Sequence, residues 1–316
     1  MILKNTFLYL LLSLVTYGII PISNSDFIYE DVLYKSSNLL NSTTVPLKKA
    51  GNLLLVDATV DGVSGVFVLD TGAPGLVLNE TYFREGMPTY GASGGGITGN
   101  KIKRTTKKVK IFEFSGLVFE NIKADVINLR HIENAKGVKV LGLIGAKFIN
   151  DFEVIIDTRK MSMKMVVVDR KGEYVEPYKD ENVYDIEQKA MLFNNVVVSY
   201  IPIGGKKVCF CLDTGAERNI IDNQSHKDIL EKVSITGRSR IHGASSEKVE
   251  VLYGTMNDFS ISGHSLKGLN VILMDLSIMR QSFGINVGGM LGHDFFAMGV
   301  IKINLRKKIM SIALYD

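Results

Sequence analysis

An all-β fold made of two similar halves is predicted by three observations. The chain repeats itself, short apolar runs alternate with turn residues through both copies, and helical signals are brief. The length of 316 residues, with 46% hydrophobic and 22% charged residues, suits a folded protein of about two domains.

The repeat is clearest around two aspartates. Val66-Phe67-Val68-Leu69-Asp70-Thr71-Gly72-Ala73 recurs 143 residues later as Cys209-Phe210-Cys211-Leu212-Asp213-Thr214-Gly215-Ala216. Upstream, the turn dipeptides Asp61-Gly62 and Gly204-Gly205 keep that spacing and separate β-rich runs. Downstream, Leu143-Ile144-Gly145 matches Met290-Leu291-Gly292, and Ile156–Lys160 matches Ile303–Lys307, both 147 residues apart. The second copy therefore gains four residues between its motifs.

These matches set the expected organisation. Residues 1–25 read as a signal peptide: Lys4, then the apolar run Phe7–Pro21, then Ser23-Asn24-Ser25. This predicts export to a periplasm or the outside, with an uncleaved N-terminal membrane anchor as the alternative. Residues 26–49 form an N-terminal arm, 50–170 the first lobe, 171–192 a polar linker and 193–316 the second lobe. One or two helical turns are expected at Ala146–Asp151 and His293–Ala297, and helix at Thr81–Arg84 and Gln224–Lys232.

Charge excludes little. The net charge of +4 is small, and the basic stretch Lys101–Lys110 reads as an exposed strand or hairpin face, so no nucleic acid is expected as a partner. Cys209 and Cys211 stand at i and i+2, where a strand points both side chains to one face, a geometry unsuited to a disulfide. They replace Val66 and Val68 of the first copy and read as core residues. His131, His226, His242, His264 and His293 lack metal-ligand spacing, so neither a metal nor another cofactor is expected. Gly91-Ala92-Ser93-Gly94-Gly95 fits G-x-S-x-G but lacks a helix-forming sequence after it, which argues against a serine nucleophile.

Each Asp-Thr-Gly follows an apolar strand, so its aspartate is presented from a rigid element, and its glycine permits a tight turn. Two carboxylates about 3 Å apart cannot both ionise easily and share a proton. One can take a proton from water while the other polarises a carbonyl, so Asp70 and Asp213 are the candidate catalytic pair. Thr71, Gly72, Thr214 and Gly215 are expected to support the loops, the threonines through hydrogen bonds between lobes.

These segments resemble the retropepsin-like aspartic proteases, the superfamily of retroviral proteases and pepsins. The resemblance implies two retropepsin-like β-barrel lobes in one chain, a cleft between them and an intramolecular pseudo-dimer in a monomer. The implied activity is that of an aspartic endopeptidase acting on an extended peptide or protein substrate. A non-catalytic, secreted peptide-binding protein of the same fold is the alternative. The resemblance also implies flaps, with Tyr90, Gly91 and Ala92 and then Gly243 and Ala244 as substrate-binding candidates. Gly292-His293-Asp294 resembles the family's Gly-Arg-Asp, whereas Gly145-Ala146-Lys147 departs from it. Family members often have Ser or Thr after Asp-Thr-Gly. Ala73 and Ala216 stand there instead, so the pair is expected to titrate higher and to favour a weakly acidic to neutral optimum.

Overall fold

The computed structural model describes residues 34–36, 41–84, 87–88, 94–95, 101–102, 105–242, 248–257, 259–266 and 268–315. Strands dominate, as the apolar patterning predicts. In the first lobe, Leu53–Val60 pairs antiparallel with Val63–Leu69 across the Asp61-Gly62 turn. Leu76–Asn79 follows the first Asp-Thr-Gly, and Thr105–Phe114 and Leu117–Ile127 form a long hairpin. Gly142–Ile144 then inserts between two strands that precede it, parallel to Phe67–Leu69 and antiparallel to Leu76–Leu78. Pairing of Phe112–Phe114 with Ala58–Val60 closes six strands into a barrel.

The second lobe repeats this order. Val196–Ile203 pairs with Lys206–Leu212, and Val287–Leu291 inserts between Lys206–Leu212 and Asn219–Asp222. Its barrel is not closed by backbone pairing among the described residues. The strand Lys248–Met256 ends before Ser260–Ile261, which packs beside Val196–Ile203 without joining its ladder.

The core follows the repeat. Phe67 and Phe112 lie 6.1 Å apart between ring centroids, and their counterparts Phe210 and Phe259 lie 6.0 Å apart. Phe148 meets Phe112 edge to face, and its counterpart Phe295 is fully buried. Each such ring stabilises the fold by roughly 1.5–3 kcal/mol through burial. Cys209 and Cys211 are free thiols in the core, and burial pushes the Cys209 thiol up to about 11.

Six strands at one end of a 13-stranded sheet join the lobes, in the order Ser42–Pro46, Ser162–Val167, Phe152–Asp157, Gly299–Asn304, Ile309–Leu314, Ile186–Phe193. Three strands come from each half. At the seam Val154 opposes Ile303 and Ile156 opposes Ile301, pairs that the 147-residue shift exchanges. Two expected boundaries move as a result. The end of the N-terminal arm supplies the edge strand Ser42–Pro46, and the end of the linker supplies Ile186–Phe193. The rest of the linker is bonded across the seam. Tyr174 donates to Glu153, Asn304 donates to Glu153 and to the Gly172 carbonyl, and Lys302 donates to Asp180.

Helices are short. The expected turns after Gly145 and Gly292 are a 3-10 turn at Ala146–Ile149 and a helix at His293–Phe296. Lys227–Leu230 is helical within the expected Gln224–Lys232 region. Thr81–Arg84 is not helical: Asn79 accepts the Thr81 N–H and turns the chain instead. Sequence reading missed Arg130–Lys136 and Ser277–Phe283, repeat-related helices each ended by a left-handed glycine, Gly137 and Gly284.

Candidate active site

The inserted strands build the site. Gly142–Ile144 lies beside the strand ending at Leu69, so the Ile144 carbonyl accepts the Asp70 N–H at 2.9 Å. The Leu291 carbonyl accepts the Asp213 N–H at the same distance. The next glycines lie under the aspartate loops. A Cβ on Gly145 would sit 2.3 Å from the Ala73 carbonyl oxygen, and one on Gly292 would sit 2.5 Å from that of Ala216. Only glycine lets these backbones approach so closely.

Asp70 and Asp213, far apart in sequence, meet between the lobes and hydrogen-bond through their side chains. They are 0% and 1% exposed, which makes ionisation costly. The Asp70 Oδ1 accepts the Gly72 and Ala73 N–H groups, each at 3.0 Å, and the Asp213 Oδ1 accepts the Gly215 N–H at 2.8 Å. Burial, then the charge and hydrogen bond of Asp213, hold the Asp70 carboxyl well above the usual carboxylate range. Burial also raises Asp213, but the hydrogen bond from Asp70 works in the other direction. Both carboxyls are thus raised, and the two titrate as a pair that shares a proton.

The four supporting positions surround this pair. Thr71 Oγ1 donates to the Leu212 carbonyl and Thr214 Oγ1 to the Leu69 carbonyl, both at 2.7 Å. Each hydroxyl also accepts the other threonine's N–H, at 3.0 and 3.1 Å. A Cβ on Gly72 would sit 2.6 Å from the Asp213 Cγ, and one on Gly215 equally close to the Asp70 Cγ. Each lobe's glycine therefore makes room for the other lobe's carboxylate.

Tyr90, Gly91, Ala92, Gly243 and Ala244, expected in the flaps, lie outside the described residues. The strands on either side of the second of these segments, Val233–His242 and Lys248–Met256, pair antiparallel with each other. Among the described residues no group of three or more His, Cys, Asp or Glu side chains is placed to hold a metal ion.

The outer supports are unequal, as the departure at Gly145-Ala146-Lys147 implies, though sequence reading did not name Arg218, Glu217 or Lys136. Arg218 pairs with Asp294 at 3.1 Å in the second copy, where the first copy has Gly75 and Lys147. Glu217, four residues after Asp213, is buried and pairs with Lys136 of the first lobe at 2.5 Å. It also accepts the Asn52 N–H at 3.2 Å. Its counterpart is Pro74, which has no charge to offer. The departure at Ala146-Lys147 was the one sequence signal of this asymmetry.

A family model described as aspartyl protease matches the chain twice, at residues 56–148 and 200–295, together more than half of it. Each match contains one Asp-Thr-Gly segment and one inserted strand. No curated protein matches the chain.

Proposed function

Because the chain belongs to the aspartyl protease family, we propose that it is an aspartic endopeptidase whose reacting water is activated between Asp70 and Asp213. The observation that carries this reading is the buried pair of carboxylates, one from each Asp-Thr-Gly loop, held together by the reciprocal threonine hydrogen bonds. One carboxylate of the pair is the base that takes a proton from water. The other, protonated, donates to the scissile carbonyl oxygen as the water oxygen adds to the carbon. Proton transfer to the leaving nitrogen then lets the C–N bond break. The chain supplies both carboxylates, so the working form is a monomer.

The substrate is an extended peptide that adds to strand edges by main-chain hydrogen bonds. The apolar Phe7–Pro21 segment supports export, with membrane attachment where it is retained. Among the described residues no helix is long and apolar enough to cross a membrane.

The test is cleavage of a general peptide library with and without a statine-type inhibitor, alongside Asp70→Asn. Cleavage that the inhibitor blocks and the variant lacks supports the reading. Peptide binding without cleavage overturns it in favour of a binding protein.

A further inference from the structure

His293 stands directly under the Asp213 loop. Its N–H donates to the Ala216 carbonyl at 2.8 Å, as the Ala146 N–H does to the Ala73 carbonyl in the other lobe. The backbone bond is thus common to both copies, and only the side chain differs. His293 is 7% exposed, and its Nε2 lies 3.1 Å from the Nζ of Lys49, on strand Lys48–Ala50, which the structure pairs with Leu53–Leu55 of the first lobe. A lysine ammonium can only donate, so this contact requires an unprotonated Nε2. The proton of the neutral ring is then on Nδ1, which is buried without a hydrogen-bond partner.

We propose that His293 is a pH-sensitive positioning residue: its neutral ring holds Lys49 across the lobe boundary, and its protonation releases that contact and loosens the Asp213 loop. The reading of the loop as catalytic rests on the function proposed above; the inter-lobe contact does not.

Addition of a proton from water to Nε2 removes the acceptor and sets a cation against the ammonium. The surrounding charges do not compensate. Arg218 adds a further positive charge, and Asp294, the carboxylate beside the ring, is already paired with Arg218. On the elements packed against the helix, Asp222 is bound to Arg280 and Lys302 to Asp180, while Asn270 contributes no charge. Glu217, in the loop above, is bound to Lys136. Burial first, then Lys49, lower the affinity of His293 for a proton. A base with lowered pKa contributes stability above its unfolded value of 6.5, lost as pH falls through the folded value.

The experiment compares the full chain with His293→Ala, which installs the residue of the first copy, and with Lys49→Met, at an exposed position that leaves the backbone ladder intact. Thermal midpoints are measured from pH 7 to 5, together with the pH profile of peptide cleavage. The wild-type midpoint is expected to fall by about 2–4 °C more than that of either variant. The acid limb of cleavage should move to lower pH in His293→Ala. Identical midpoint trends in all three proteins overturn the proposal. Should His293→Ala not fold, Lys49→Met decides by the same trend. Trends that differ while no form cleaves peptide uphold the His293 contact and reject the protease reading. Cleavage with identical trends does the reverse.

Discussion

Thr71 and Thr214 each donate a hydroxyl hydrogen to the other lobe's last strand residue before the aspartate, Leu212 and Leu69, at equal distances of 2.7 Å. Each also accepts the other's backbone N–H, so the two loops share four hydrogen bonds. Thr214→Ala removes two of these and leaves the buried Thr71 N–H without an acceptor. The expected cost is about 2–4 kcal/mol in denaturant unfolding, with reduced kcat. Thr214→Ser keeps the hydroxyl and should recover most of both. Equal loss in the serine variant would assign the effect to the methyl group instead.

Asp70→Asn and Asp213→Asn should each lower kcat by at least about a thousand-fold, because each removes a proton-transfer group from the pair. Full activity in either would sink the dyad mechanism.

The same variants should reveal the strain of the pair. The Asp70 pKa is raised above its unfolded value of 3.8, so its contribution is fully present below 3.8 and lost as pH rises through the folded value. Asp70→Asn removes that loss. Its thermal midpoint should exceed the wild type at pH 7 by a few degrees, and the difference should shrink towards pH 4. Scanning calorimetry at the two pH values checks this, and a gap that widens on acidification would contradict it.

Gly72→Ala and Gly215→Ala place a methyl group against the opposite carboxylate, 2.6 Å from its Cγ. The carboxylate must shift or the lobes must part. Each variant should lose most activity and about 1–3 kcal/mol of stability. A crystal structure of an active Gly72→Ala protein with an undisturbed Asp213 would refute this account.

Both carboxyls are raised, with alanine and no hydroxyl side chain at 73 and 216. Cleavage should therefore peak at weakly acidic to neutral pH, and Ala73→Ser or Ala216→Ser should move the optimum to lower pH. A wild-type optimum near pH 2 in a pH–rate profile would be incompatible with this.

Much of this was legible in the chain before any coordinates. The duplication, the strand-rich pattern and the two Asp-Thr-Gly segments follow from local residue choice, because strand alternation, turn glycines and repeat spacing are written along the backbone. So were the core positions of Cys209 and Cys211, through their register with Val66 and Val68. Tertiary structure alone decided the contacts between lobes. The pairing of Val154 with Ile303, the capture of Glu217 by Lys136, the Lys49–His293 contact and the placing of Ser42–Pro46 and Ile186–Phe193 in one sheet join residues far apart in sequence. Nothing in the local pattern of either partner specifies the other. The sequence determined that the chain carries two equivalent aspartates on two equivalent supports. Packing decided that they meet in a buried seam between the lobes, where burial raises both carboxyls and the two titrate as a pair.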